Sequence, residues 1–402
     1  MPRILRIHNR IVIGGPTLNV LNLTKYLAPG YETMLVAGEK EDHEKDASSL
    51  AHAMNIEPVL VSEMGRSVSA KNDVAAYNRI KKLIKEFKPD IVHTHAAKPG
   101  LIGRLAAASC KVPVIVHTFH GHVFHSYFSK TKTRLIINTE RYLATKANAI
   151  VAISEQQKKE LALDFKIARE KKFRIIPLGF ELDRFTLDQD EKRHRFRSEF
   201  QVADDEIAIG ITGRLVPVKN HEVFLKGLSH VLQNTSKKVR AFIVGDGETR
   251  QQLEAWATAL NIPYTAAGDS FDVTKPLVFT SWRGDIDVIN AGLDIVTLTS
   301  LNEGTPVSLI EAQASNKPIV STRVGGIQDI VIENETALLS GIHDQQLFSD
   351  NLLQLVNNDD LRYNLGRKGS DWVMKKFSAQ RLANDMDHLY QALLRKKRIH
   401  GR

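Results

Sequence analysis

Three observations predict an α/β protein of two doubly wound domains. Short β-branched runs alternate with amphipathic segments, the alternation breaks at a charged stretch near 186–200 and then begins again, and 402 residues suffice for two domains of about 200 each. Each is long enough to bury a full core. A content of 43% apolar and 25% charged residues is that of an ordinary globular chain.

The first set of runs is RILRIH at 3–8, TMLVAG at 33–38, EPVLV at 57–61, DIVHTH at 90–95, PVIVHT at 113–118, AIVAIS at 149–154 and RIIPLG at 174–179. Between them lie helical segments such as 72–88, 98–109 and 129–147, so neighbouring strands pair in parallel through crossover helices. The rhythm restarts with EIAIGITG at 206–213, RAFIVGDG at 240–247, LVFTSW at 277–282, DIVTLTS at 294–300, PIVSTRVGG at 318–326 and ALLS at 337–340. Helices near 344–356, 359–375 and 378–397 close the chain. Proline and glycine interrupt the pattern in PLGFELDRF at 177–185, which puts the joint there. The expected domains are 1–178 and 179–375, with 376–402 as a closing helix. Open α/β sheets bind ligands at the carboxyl ends of their strands, so a cleft is expected where two such sheets face each other.

The net charge of +9 is unevenly spread. Residues 1–180 hold 28 Lys+Arg against 16 Asp+Glu, residues 181–374 hold 19 against 28, and residues 375–402 hold 8 against 2. A basic first half and a basic tail suggest an anionic partner surface, phospholipid or nucleic acid, although solvated helix faces give the same composition. The single cysteine, Cys110, excludes an intramolecular disulfide and a cysteine-rich zinc site. Arginines interrupt each apolar run of MPRILRIHNRIVIGG, so neither a signal peptide nor a membrane-spanning helix is expected there, and the expected compartment is the cytoplasm.

The motifs follow strand ends. Gly14 and Gly15 stand between the first strand and the first helix, where glycine lets backbone approach a phosphate at a helix N-terminus. A plain strand-to-helix turn satisfies the same residues. Gly213, Arg214 and Lys219 in TGRLVPVKNHE place two cations at the end of the second domain's first strand, a pair suited to a diphosphate. In VGDGETR, Gly245 and Gly247 flank Asp246, and a structural turn is the default reading. HTFHGHVFH gathers His117, His120, His122 and His125, a weak zinc set without acid or cysteine partners. His120 stands apart because Gly121 follows it at the strand tip. Asp285 and Asp287 form an Asp-x-Asp in WRGDID, a pattern that elsewhere holds a divalent metal. Here they are expected to cap a short helix.

NEGTPVSLIEAQAS at 302–315 carries two acids, Glu303 and Glu311, in an otherwise small and apolar stretch. On one helix they would lie roughly 80° apart. Pro306 is instead expected to open the helix as its first residue, leaving Glu303 in the preceding loop and Glu311 in the second turn. Both carboxylates and the helix N-terminus then point at one pocket.

Taken in order, GG at 14–15, FHG at 119–121, GRLVPVKN at 213–220, VGDG at 244–247, WRGDI at 282–286 and EGTPVSLIEA at 303–312 resemble the retaining glycosyltransferases of family 4 over essentially the whole chain. The resemblance implies a GT-B fold, two Rossmann-like domains with an interdomain cleft and a C-terminal helix returning to the first. The first domain would bind the acceptor and the second the nucleotide sugar. It also implies roles. Glu303 would contact the transferred sugar, Glu311 the ribose, and the amides of Gly304, Thr305 and Val307 the donor's phosphate and sugar. Arg214 and Lys219 would hold the diphosphate, and His120 would position or stabilise charge near the donor sugar. Gly14, Gly15, Gly213, Gly245, Asp246 and Arg283 complete the implied donor set. No metal or other cofactor is expected. Gly304-Thr305-Pro306 replaces the bulkier Ser-Phe-Gly of mannose-transferring relatives and points to a UDP-sugar.

The function expected is elongation of a lipid-linked or other glycan, with the basic first domain docked on the inner face of the cytoplasmic membrane. A UDP-sugar 2-epimerase or hydrolase of the same architecture is the alternative enzyme, and the spacing of Glu303 and Glu311 beside GRLVPVKN argues against it. A non-catalytic protein that binds anionic surfaces is the third reading. Nucleic acid is not expected, because no aromatic-and-basic stacking surface or recognition helix is visible.

Overall fold

The computed structural model describes all residues except 13, 29, 42, 43, 45, 66–68, 122–129, 401 and 402. The chain divides into two compact units, Met1–Glu181 with Phe377–Arg402, and Leu182–Lys376.

Unit 1 contains strands β1 (Arg3–Arg10), β2 (Glu32–Gly38), β3 (Val59–Leu60), β4 (Ile91–His95), β5 (Val114–Phe119), β6 (Ala149–Ala152) and β7 (Phe173–Ile175). Its helices are α1 (Gly15–Leu27), α2 (Ser48–Ala53), α3 (Ala70–Phe87), α4 (Ala97–Ser109), α5 (Lys130–Lys146) and α6 (Glu155–Lys159). The strands form one parallel sheet in the order β3-β2-β1-β4-β5-β6-β7. Strand β1 is buried on both faces: Ile4 joins Leu23, Val116 and Val151 on one side, while Leu5 and Ile7 join Ile80, Leu83 and Ile102 on the other. Burial on both faces is that of a parallel strand, and Arg6 and His8 are buried on the face of Ile4.

Unit 2 contains β8 (Ile207–Thr212), β9 (Val239–Val244), β10 (Tyr264–Thr265), β11 (Leu277–Ser281), β12 (Ile295–Leu298), β13 (Ile319–Thr322) and β14 (Ala337–Ser340). Its helices are α7 (Gln189–Glu199), α8 (His221–Asn234), α9 (Arg250–Ala259), α10 (Ile286–Gly292), α11 (Val307–Ala314), α12 (Gln345–Asn357), α13 (Asp359–Gly366) and α14 (Gly369–Phe377). The parallel sheet runs β10-β11-β9-β8-β12-β13-β14. One helix was expected over 359–375, and the structure breaks it at Gly366 and Gly369. A Cβ on Gly366 would lie 2.3 Å from the Asn316 carbonyl oxygen, and one on Gly369 3.0 Å from Gln313. The break lets both helices pack closely on that turn.

The last helix, α15 (Ala379–His400), belongs to unit 1, where Leu382, Met386, Leu389 and Tyr390 pack on Leu23 and Leu27 of α1. Gly179 permits the approach, since a Cβ there would lie 2.4 Å from Leu382 Cβ. Arg381 donates to the carbonyls of Pro177 at 2.9 Å and Leu178 at 2.6 Å, tying the helix to the segment that leaves unit 1.

In each sheet the winding reverses once. The reversal lies between β1 and β4 in unit 1 and between β8 and β12 in unit 2. At such a reversal the loops that follow the two strands run to opposite faces of the sheet, and the carboxyl ends there are where open α/β sheets take ligands.

Candidate functional site

Unit 2 places its motifs on the two strands of its reversal. Beyond β8, Gly213 and Arg214 lead into a short 3-10 turn, Pro217–Lys219, and Asn220 turns left-handed (φ 50°) to start α8. The loop after β12 is stitched to this turn: Thr299 Oγ1 donates to the Lys219 carbonyl at 3.0 Å and Leu301 N to the Val218 carbonyl at 2.8 Å. Side chains then meet. Lys219 Nζ donates to Glu303 Oε1 at 2.5 Å, and Ser300 Oγ donates to the same oxygen at 2.6 Å. Glu303 is 11% exposed and Lys219 22%, so the pair is accessible from one side only. Arg214 is exposed and makes no ion pair among the described residues.

The glycines around this centre are of two kinds. A Cβ on Gly245 would lie 1.9 Å from the Gly213 carbonyl oxygen, and one on Gly247 2.3 Å from that of Leu215. Leu215 N donates to the Asp246 carbonyl at 3.0 Å, while the Asp246 carboxylate accepts from Ser281 Oγ at 2.7 Å and Gly247 N at 2.8 Å. The VGDG turn is thus a brace for the loop carrying Arg214. Gly325 (φ 48°) and Gly326 brace the other loop in the same manner. Their Cβ atoms would fall 1.9 and 1.8 Å from the carbonyl oxygens of Glu303 and Gly304, and Gly326 N donates to the Glu303 carbonyl at 3.0 Å. Sequence reasoning missed this pair, taking it as the tail of a strand; a doubled glycine after a strand, as at 14–15, was the available signal.

At the other positions the protein itself does not require glycine. A Cβ on Gly304 would meet nothing within 4 Å, the nearest atom to one on Gly213 is Lys219 Cε at 3.7 Å, and the nearest to one on Gly14 is Pro16 Cδ at 3.9 Å.

Helix α11 begins at Val307 with Pro306 as its N-cap, one residue later than expected. Glu303 lies in the loop and Glu311 in the second turn. The amides of Gly304, Thr305 and Val307 have no acceptor among the described residues, so the opening of this helix presents free N–H groups beside the Lys219–Glu303 pair. Burial raises Glu311 to about 7, opposed by Arg184, whose guanidinium is 3.8 Å away.

One expectation is corrected. Asp285 sits at the N-cap of α10 but bonds no helix N–H. Its carboxylate is gripped by Arg283 at 2.9 and 2.8 Å instead, because a guanidinium two residues away offers a charge-assisted, two-pronged match. Asp287 pairs with Lys192 at 3.1 Å. Arg283 is in turn also bound to Glu199 of α7, so its guanidinium is shared between two carboxylates in the structure. No cluster of three His, Cys, Asp or Glu side chains suits a metal ion among the described residues.

Unit 1 gathers imidazoles. His8 of β1, His93 and His95 of β4, and His120 just beyond β5 form a contiguous group with Arg6, Thr118 and Tyr390 of α15, while His117 of β5 lies on the other face of the sheet with Thr94 and Phe119. Arg6 can only donate, so His93 Nδ1 accepts from it at 3.3 Å and from Tyr390 Oη at 2.5 Å. The His93 proton is therefore on Nε2, which donates to Thr118 Oγ1 at 2.7 Å. His95 Nδ1 and His120 Nε2 share a hydrogen bond of 2.9 Å with their rings stacked. His117 Nδ1 bonds Thr94 Oγ1 at 2.8 Å. Burial holds all five rings uncharged, with His8 lowered to about 3 and His120 to about 4. Of these five, only His117 and His120 were singled out in the sequence; His122 and His125 lie outside the described residues. Gly14 and Gly15 open α1 next to His8, whose Nε2 bonds Thr17 Oγ1 at 3.3 Å.

Known proteins share this architecture. Glycosyl transferases group 1 match residues 192–372, and Glycosyltransferase Family 4 matches residues 13–184. The chain is 26% identical over 340 residues to the UDP-Gal:alpha-D-GlcNAc-diphosphoundecaprenol alpha-1,3-galactosyltransferase of Escherichia coli, covering 84% of each. It is 23% identical over 344 residues to the capsular polysaccharide biosynthesis glycosyltransferase CapM of Staphylococcus aureus, covering 83% of this chain and 86% of CapM. The crystal structure of Anabaena HepE in complex with UDP superposes with a TM-score of 0.80 at 17% identity, over 97% of this chain and 100% of that one.

Proposed function

We propose, from the premise that this chain belongs to the group 1 glycosyltransferases of the GT-B fold, that it moves a sugar from a UDP-sugar to a lipid-linked glycan with retention of anomeric configuration and without a metal ion. The observation that carries the reading is the convergence of Lys219, Glu303, Arg214 and the free amides at the start of α11 on the reversal point of one sheet. An uncompensated arginine, a lysine and helix N–H groups suit a diphosphate. The curated relative that acts on a diphosphoundecaprenol-linked sugar with UDP-galactose supports the donor and the acceptor class.

In this reading the bond from the sugar C1 to the β-phosphate oxygen breaks, and a bond from C1 to the acceptor oxygen forms on the same face. The acceptor's proton passes to the departing phosphate oxygen. Arg214 and Lys219 stabilise the charge growing on the diphosphate, and preorganised cations of this kind lower a barrier most in a site closed to water. No general acid is required, because a diphosphate leaves readily. Glu303 takes the sugar hydroxyls once Lys219 turns to the phosphate. Glu311 accepts from the ribose, and the open positions at Gly213 and Gly304 give the donor room. Gly245 and Asp246 act by bracing the Arg214 loop. We assign Gly14, Gly15 and His120 of unit 1 to the same donor, and acceptor binding to the rest of that unit.

The acceptor class implies work at an anionic membrane surface. Among the described residues no helix is long and apolar enough to cross a membrane, so attachment would be peripheral. Two measurements test the reaction. Proton NMR of the product should show the donor's anomeric configuration preserved, and turnover should persist in EDTA. An inverted product overturns the retaining mechanism, and a strict metal requirement returns attention to Asp285 and Asp287.

A further inference from the structure

The two positively charged parts of the sequence, separated by the acidic middle, meet in one place. A groove of about 1040 Å³ opens on unit 1 between the C-terminal half of α5, the sheet-edge strand β7 and the middle of α15. Arg141, Arg169, Lys171, Lys172 and Arg174 line it from the first half of the chain, and Lys396 from the tail. The only carboxylate lining it is Asp385, which is paired with Arg381 at 3.1 Å.

Three of these cations are held in place and have no carboxylate partner among the described residues. Arg141 donates to the carbonyls of Lys166 and Phe165 at 3.2 and 2.8 Å, Lys172 to that of Ala144 at 2.6 Å, and Arg174 to that of Lys171 at 2.9 Å. Main-chain oxygens orient Arg141, Lys172 and Arg174 and leave their charge for an external anion. The floor between them is aliphatic, formed by Ile167, Ile175, Leu389 and Leu393. No aromatic ring other than His388 lines the groove, so it lacks the stacking platforms that hold nucleic-acid bases. Cations above an aliphatic floor match a phosphate joined to hydrocarbon.

We propose that this groove is where the protein docks on a membrane, taking anionic phospholipid headgroups on its cationic rim and their first acyl carbons on its floor. The inference rests on the reading of a lipid-linked acceptor and names the surface that reading leaves open.

The test is co-sedimentation of the full chain with vesicles of phosphatidylcholine alone or with 30% phosphatidylglycerol. Wild type should bind only the anionic vesicles, more weakly as salt rises. The triple variant Arg169→Glu, Lys171→Glu, Arg174→Glu should lose about 100-fold in vesicle affinity. A control with the same charge change on α3, Lys71→Glu, Lys82→Glu, Lys85→Glu, should lose far less. The milder pair Arg169→Gln, Lys171→Gln, checked for an unchanged melting temperature, should lose about tenfold. Equal losses in groove and control variants, absence of binding to anionic vesicles, or binding of soluble polyphosphate as tight as that of vesicles would each overturn the proposal. Hydrolysis of soluble nucleotide sugar is measured on the same samples. Vesicle binding lost with hydrolysis retained supports the groove. Wild type that hydrolyses donor but ignores vesicles sinks the groove alone, and wild type that binds vesicles through the groove but turns over no donor sinks the transferase reading alone.

Discussion

The two units carry closely related parallel sheets and place polar groups at the reversal of each, yet they treat those groups in opposite ways. In unit 2 the centre is an ion pair, Lys219 with Glu303, open on one side and joined by the exposed Arg214. In unit 1 it is a nest of uncharged imidazoles, closed around Arg6 and locked by Tyr390 from a helix 297 residues away in sequence. The difference shows what each centre is suited to. A cation whose present partner is a movable carboxylate can exchange it for a phosphate. Uncharged imidazoles around one buried guanidinium, with His8 Nδ1, His95 Nε2 and His120 Nδ1 left without a hydrogen-bond partner among the described residues, suit the hydroxyls of a sugar.

The sharpest way to break the comparison is to remove the charges of unit 2. Lys219→Ala or Glu303→Ala should lower turnover by about 100- to 1000-fold while the melting temperature stays within a few degrees of wild type. Wild-type rates in either variant would remove these residues from the site. The two kinds of glycine give the next largest effect. Gly326→Ala must displace a carbonyl oxygen 1.8 Å from the new Cβ and should cost about 3 kcal/mol in urea unfolding, whereas Gly304→Ala should leave stability unchanged and weaken nucleotide-sugar binding. Equal stability of the two would show that the brace yields.

The neutral centre is tested by His93→Phe, which strands Tyr390 Oη and Thr118 Oγ1. It should destabilise unit 1 by about 1–3 kcal/mol, read from urea unfolding, with a smaller effect on donor binding. Acidification gives a gentler contrast, and the signs differ between the units. The five imidazoles have folded values below the usual 6.5, so their contribution to stability is complete above about 6.5 and declines as pH falls toward about 4. Glu311 is raised to about 7, so the cost of ionising it inside the fold grows as pH rises from about 4.5 to 7 and is relieved by acid. Melting curves between pH 7.5 and 5 should therefore show unit 1 losing stability, and nucleotide affinity should fall over the same range as Glu311 protonates. A pH-independent affinity would mean that the carboxylate does not take a ribose hydroxyl.

Much of this architecture was legible because parallel strands buried on both faces leave continuous apolar runs, and the loops that follow them hold their glycines and charges within a few residues. Gly213 to Asn220 and Glu303 to Glu311 could be read as local units for that reason. What could not be read depends on contacts between distant segments. His8, His93 and His95 come from two strands that are neighbours only in the sheet, and Tyr390 from the end of the chain. Gly325 and Gly326 gain meaning only from the carbonyls they pass. Asp285 looked like a helix cap until its clamp by Arg283 was seen.

The most direct test of the central claim is a thermal-shift and hydrolysis panel of the purified chain against UDP-, GDP- and ADP-sugars, with and without EDTA. The account predicts stabilisation by a UDP-sugar, slow release of its sugar in either condition, and loss of both in Lys219→Ala. No shift with any nucleotide sugar would contradict the assignment of the Lys219–Glu303 centre to a sugar donor.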